Sequence, residues 1–217
     1  DFCLSRGLGD VYKRQDVYAP QPLGIVDILI INDKIAKIGQ QLAAPQGLDC
    51  QILDAQKRKV VPGYVDQHVH IIGGGGESGP YSRTPEINLS ELTKVGITTV
   101  VGVLGTDGTS RHNESLLAKA RGLTHEGITA YMLTGSYEIP LHNMTGDVRR
   151  DIILINECLG IGEVALSDHR SSQPTREELE KVLTQARLGG MLSGKAGVVQ
   201  FHMGVGKRGI DLSLIHI

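Results

Sequence analysis

The chain has 217 residues, 40% of them hydrophobic and 21% charged, an ordinary globular composition for one large domain or a domain with a small companion. A formal net charge of -2 and 4% aromatic residues without Trp remove the electrostatic and stacking arguments for a nucleic-acid partner or an anionic membrane surface. No apolar run approaches the roughly 20 residues that span a bilayer, and the three cysteines (Cys3, Cys50, Cys158) have neither metal nor disulfide spacing, which fits a reducing, cytoplasmic setting.

Residues 1–14 lack an initiating Met, an apolar leader core and any periodicity that leads onward, so they are expected to be foreign or disordered. Residues 15–61 read as part of a small β-domain of sandwich type. Val26–Ile31 and Lys34–Gly39 form a predicted hairpin across Asn32-Asp33, and a second short strand pair is expected at Gln51–Leu53 and Lys59–Val61. Pro62-Gly63 marks a boundary. From 62 to 209 the pattern alternates strand and helix, with strands near Tyr64–His70, Ile97–Leu104, Ile128–Thr134, Ile161–Ser167 and Val198–Met203. Helices are predicted from Thr84-Pro85, over Asn113–Glu126 with Gly127 as a stop, and over Thr175–Met191 with Thr175 and Glu178 as a capping box. The strands recur every ~30–35 residues, the length of a βα step. The predicted class is therefore α/β: about five βα steps of a partial (β/α)8 barrel behind part of a β-sandwich domain. An open doubly wound sheet is the alternative, but no G-x-G-x-x-G follows the first strand. Residues 210–217 end without a cap or polar tail and are expected to be foreign or truncated.

In a parallel barrel the carboxyl ends of the strands share the face that carries the chemistry. His68 and His70, two apart on a strand, point to one side and make a natural ligand pair for zinc or a similar metal. Such spacing also arises for packing alone. The following Gly73-Gly74-Gly75-Gly76-Glu77 run lets backbone approach a ligand and hands over to a carboxylate, whereas the plainer reading is a surface loop. Thr106, Tyr137, Glu163, Arg170 and His202 fall at the ends of later strands or just beyond them. A lone histidine is more often a satisfied core residue; three His and a Glu at matching strand ends are a different matter. His112, His125 and His142 read as solvated, His169 as either support for a ligand or exposed, and Asp66 as a strand cap or ligand orienter. Cys50 and Cys158 read as buried small hydrophobes.

The run Val61-Pro62-Gly63-Tyr64-Val65-Asp66-Gln67-His68-Val69-His70 resembles the P-G-x-[IV]-D-x-H-x-H signature of the amidohydrolase superfamily. With Gly73–Pro80, Leu104–Asp107, Met132–Gly135, Ser167–Ser171 and Phe201–Gly204, the chain is similar to the isoaspartyl (beta-aspartyl) dipeptidase family over residues 16–209. That resemblance implies a binuclear, zinc-dependent hydrolase that cleaves the isopeptide bond of β-aspartyl dipeptides with a hydroxide held between two divalent ions. It implies that His68 and His70 hold the more buried ion, that His202 holds the other and that a carboxylate joins them. It further implies Glu77 for the substrate ammonium, Tyr137 for the oxyanion, Arg170 for a substrate carboxylate, and Gly75 and Thr106 for contacts through loop backbone. The full-length enzyme is expected to be a homo-oligomer whose partner is a small dipeptide.

The chain departs from the family at one place. Members join their metals with a carbamylated lysine on strand four, where this chain has Glu163; no lysine lies between Lys119 and Lys181. Glutamate supplies a carboxylate on a shorter arm, and it is expected to bridge. The family's later histidine, aspartate and second arginine would lie beyond strand five, so the 217-residue piece is expected to be inactive and poorly folded, its open barrel edge inviting aggregation. Two rival readings stay open: an amidohydrolase of cyclic amides (dihydroorotase or hydantoinase type) and a decayed, non-catalytic barrel.

Overall fold

A computed structural model describes residues 9–47 and 49–216, with side chains to Leu214. The expectations for Cys3 and for residues 1–8 lie outside the described residues. The chain divides into two units between Gly63 and Tyr64, at the Pro62-Gly63 punctuation.

The first unit is one mixed sheet of β1 (Gly9–Tyr18), β2 (Pro22–Ile31), β3 (Lys34–Gly39), β4 (Cys50–Asp54) and β5 (Lys59–Val60). β2 and β3 form the expected hairpin, with Asn32 in the left-handed region at φ 56°. The expected strand pair at 51–53 and 59–61 is corrected. β4 and β5 do not pair with each other; both lie parallel to β1, against Gly9–Lys13 and Asp16–Val17. β1 is long enough to offer one continuous ladder edge to two short strands in turn. Its Gly9–Arg14 part falls inside the segment set aside in the sequence. A bulge between Tyr12 and Gln15, with Arg14 at φ 59°, breaks the alternation there and hides the strand from a period-two reading.

The second unit is a five-stranded parallel sheet in the order β10-β9-β8-β7-β6, formed by β6 (Tyr64–Val69), β7 (Ile97–Gly102), β8 (Thr129–Thr134), β9 (Cys158–Leu166) and β10 (Val198–Met203). Successive strands are neighbours, each joined to the next by a crossover connection. The crossovers hold α1 (Leu89–Thr93), α2 (Asn113–Glu126), α3 (Val148–Leu154) and α4 (Arg176–Ser193). Val100, Ala130, Met132 and Val164 turn one face of the strands to Leu116, Leu123, Ile152 and Leu179 in a single apolar cluster. Leu212, in a 3-10 turn over Asp211–His216, joins that cluster.

α2 and α4 follow the sequence closely. Leu116, Ala120 and Leu123 are buried and Gly127 caps α2 in the left-handed region, while Thr175 and Glu178 form the capping box of α4. The helix expected from Thr84-Pro85 is corrected: α1 starts at Leu89, where Asn88 and Glu91 make a capping box that satisfies the first N–H groups. Pro85 restricts φ but supplies no such partner. α3 escaped the sequence reading because seven residues are too few to show a helical period; Asp147 caps it by accepting from Arg149 N at 2.7 Å. Cys158 is buried as expected and burial pushes its thiol up to about 12, while Cys50 is only half-buried. No helix among the described residues is long and apolar enough to cross a membrane.

Leu116 is fully buried where α2 meets β7, against the bare backbone of Gly102. Leu116→Ala should lower stability by about 2–5 kcal/mol in urea denaturation; a loss under about 1 kcal/mol would mean that this interface can collapse onto the cavity.

Candidate active site

Two strands carry an extra residue where the chemistry sits. Between Asp66 and Val69, β6 has one more residue than β7 opposite; between Ile161 and Val164, β9 has one more than β10. Such bulges re-aim a side chain, and they fall on His68 and on Glu163. Asp66 accepts from the backbone N–H of His68 at 3.1 Å and so fixes the β6 bulge.

Glu163 is the centre. It is 1% exposed on an otherwise apolar strand, and its two oxygens face different partners. Oε1 lies 2.7 Å from His202 Nδ1; Oε2 lies 2.7 Å from His68 Nε2 and 3.9 Å from His70 Nε2. The His68 contact is off the line that a hydrogen bond needs, so Oε2 has no hydrogen-bond partner. A buried carboxylate oxygen left this way is costly. With His68, His70 and Glu163 each offering a ligand atom within 4.8 Å of the others, one cation would take all three lone pairs. The donor set fits a borderline transition metal. Burial also holds the His70 imidazole below its usual pKa, in the neutral form that a ligand needs. Gly105 packs on this ring: a Cβ there would lie 2.5 Å from His70 Cε1, and its φ of 75° also favours glycine.

The other side of Glu163 is a chain of polar contacts. Arg170 Nη2 donates to His202 Nε2 at 2.9 Å, which leaves Nδ1 as the protonated nitrogen that donates to Glu163. The Tyr137 hydroxyl lies 2.7 Å from the same Nδ1, with its ring tilted against the imidazole. Burial, and then a hydrogen bond to Glu163, raise the Tyr137 pKa, so the phenol keeps its proton and can donate. Arg170 is held on three sides. Its Nε and Nη2 donate to Asp168 at 2.8 and 3.0 Å, and its Nη1 donates to Glu77 at 2.7 Å. Hydrogen bonds from Arg170 hold the Asp168 carboxyl well below the usual carboxylate range.

The structure thus brings His68, His70, Glu163, His202, Tyr137, Arg170 and Glu77 into one connected group. Gly75 and Thr106 line an adjoining cavity of about 370 Å³ with Glu77 and Arg83. His112, His125 and His142 are exposed, and the His169 side chain is 85% exposed, which decides between its two readings. Asp168 was missed as a functional residue. Its place two before Arg170, where the carboxylate also accepts from the Arg170 backbone N–H at 2.8 Å, was the available signal.

This arrangement of strand-end histidines around a buried acid on a parallel barrel wall is the amidohydrolase fold. D-hydantoinase shares the fold with a TM-score of 0.61 at 20% identity, over 92% of this chain and 41% of that one. Similarity is much greater to the Beta-aspartyl dipeptidase of Fervidobacterium islandicum AW-1. Identity is 44% and the TM-score is 0.91 over 95% of this chain and 56% of that one. A second structure of that dipeptidase, in complex with the beta-Asp-Leu dipeptide, matches with the same identity and TM-score over 96% of this chain and 54% of that one. The Imidazolonepropionase of Psychromonas ingrahamii is 27% identical over 119 residues, 54% of this chain and 30% of that protein. No protein-family model matches. The chain therefore spans a little over half the length of the dipeptidase it resembles and about a third of the curated relative.

Proposed function

We propose that the full-length protein containing this chain hydrolyses the isopeptide bond of β-aspartyl dipeptides. The carrying observation is the Glu77–Arg170 pair, 2.7 Å apart and reaching His202 through Arg170. A β-aspartyl residue bears an ammonium and a carboxylate on one carbon. These are the opposite charges in the opposite sense, so the substrate can replace the internal pair ion for ion. Glu77 takes the ammonium, and the planar Arg170 fork takes the carboxylate. Asp168 keeps that fork oriented, and Tyr137 donates its proton to the oxygen that gains charge. Gly75 and Thr106 border the cavity that receives the leaving residue. The similarity to a dipeptidase crystallised with beta-Asp-Leu supports the same substrate class.

His68, His70 and Glu163 would hold one divalent ion, zinc by ligand type, and His202 would help hold a second, shared with Glu163, once its Nδ1 gave up the proton it donates to that carboxylate. When bound, the ions supply Lewis acidity and an activated water at neutral pH. The few scattered cysteines support a cytoplasmic setting, and a homo-oligomer remains our expectation for the full-length protein.

The test is a comparison of β-Asp-Leu with hydantoin and dihydroorotate on the full-length protein. Wild type should cleave the dipeptide, and Glu77→Gln should lower kcat/KM for it by about 10–100-fold, the worth of a charge-assisted hydrogen bond. A cyclic ureide has no ammonium for Glu77. Turnover of the ureides alone, or an unaffected Glu77→Gln enzyme, would favour the cyclic-amide reading. No turnover of any of the three would favour a decayed barrel.

A further inference from the structure

Arg111 is the residue that the foregoing chemistry leaves without a purpose. It precedes α2, yet its side chain is only 2% exposed, and it is a cation in a place where burial costs free energy. Burial lowers its pKa accordingly. Its ion pair is a loose one: Asp107 Oδ2 lies 3.5 Å from Nη1 and is shared with the Ser110 hydroxyl and with Arg83 Nη1, which is also 3.5 Å away. Instead, Nη2 donates to the carbonyl of Gly74 at 2.8 Å and Nη1 to that of Gly75 at 3.2 Å.

Those carbonyls belong to the segment that most needs an external hold. Gly73, Gly75 and Gly76 all have positive φ, and glycines have little conformational preference of their own. A Cβ at Gly75 would lie 2.7 Å from Ser82 O, so no bulkier residue can stiffen the turn. Thr84 ties the near side, accepting from Gly74 N at 2.7 Å and donating its backbone N–H to Gly74 O at 2.9 Å. Beyond Gly75, the Gly76 carbonyl accepts from Gly79 N at 3.0 Å, and the Glu77 side chain is held on Arg170.

We propose that Arg111 is the positioning residue of the Gly73–Glu77 loop: its buried fork, closed on the Gly74 and Gly75 carbonyls, sets where Glu77 and the Gly75 backbone meet the substrate. Two carbonyls on adjacent residues match a guanidinium, which presents two parallel N–H groups; an ammonium is a point donor and cannot span both. The kinetic part of this inference rests on the dipeptidase reading; the structural part does not.

Both parts are tested in the full-length protein with Arg111→Lys and Arg111→Gln, each also placed in the Glu77→Gln background. With β-Asp-Leu, Arg111→Lys should lower kcat/KM by up to about 100-fold, the scale of a displaced binding group, mainly through KM. In the Glu77→Gln background the same change should cost less than about threefold, because the two residues act through one contact. Metal content should match wild type. Amide hydrogen exchange at 74–78 should quicken in both Arg111 variants while α2 stays protected. Equal fold-losses in the two backgrounds, or unchanged exchange in the loop, would overturn the proposal. Should wild type fail to cleave β-Asp-Leu, the dipeptidase reading falls, and the exchange measurement alone decides the role of Arg111.

Discussion

Glu163→Gln should lower kcat/KM for β-Asp-Leu in the full-length protein by on the order of 1,000-fold, the equivalent of about 4 kcal/mol of lost electrophilic assistance. It should also sharply lower the transition-metal content after purification without chelators. The reason is geometric. Among the described residues, Glu163 is the only acid that touches both His68 and His202, and glutamine keeps the shape while removing the charge and one acceptor. Because Glu163 is already a carboxylate, metal reconstitution of the wild-type apoprotein should proceed equally with and without bicarbonate. Elemental analysis and a bicarbonate series check both statements. Undiminished metal in Glu163→Gln, or a strong bicarbonate requirement in wild type, would remove Glu163 from the centre of the site.

Tyr137→Phe should lower kcat by about 100- to 1,000-fold with little change in KM, the cost of deleting one oxyanion donor. The phenol is suited to donation because burial and its contact with Glu163 keep it protonated. Its hydroxyl also touches His202 Nδ1 at 2.7 Å, so a second role in orienting that imidazole has to be separated. Metal content separates them: a donor to substrate can be lost without changing it, whereas an orienter of His202 cannot. A kcat within about threefold of wild type would mean that Tyr137 is not the oxyanion donor.

Much of the second unit was legible because its signals are local. His68 and His70 share a side through a two-residue spacing, α2 and α4 carry full helical periods with caps, and the glycine run before Glu77 has no place in a core strand. The misses share a cause as well. α1 was placed several residues early because Pro85 is a stronger local mark than the Asn88–Glu91 box that starts the helix. β1 was hidden by its bulge, and the partners of β4 and β5 depend on an edge that no short window contains.

The sequence by itself marked the candidate residues and the strand that each sits on or follows, since residue type and strand period are properties of a few neighbouring positions. Only the tertiary structure decided that Glu163 stands between His68 and His202, that Asp168 and Glu77 together hold Arg170, and that a buried Arg111 ties down the loop before Glu77. Each of those contacts joins residues from about 35 to 95 positions apart or depends on a one-residue bulge, apart from the local Asp168–Arg170 pair. Distances across a barrel face are set by how strands stack and helices pack behind them, and a linear pattern does not contain that information.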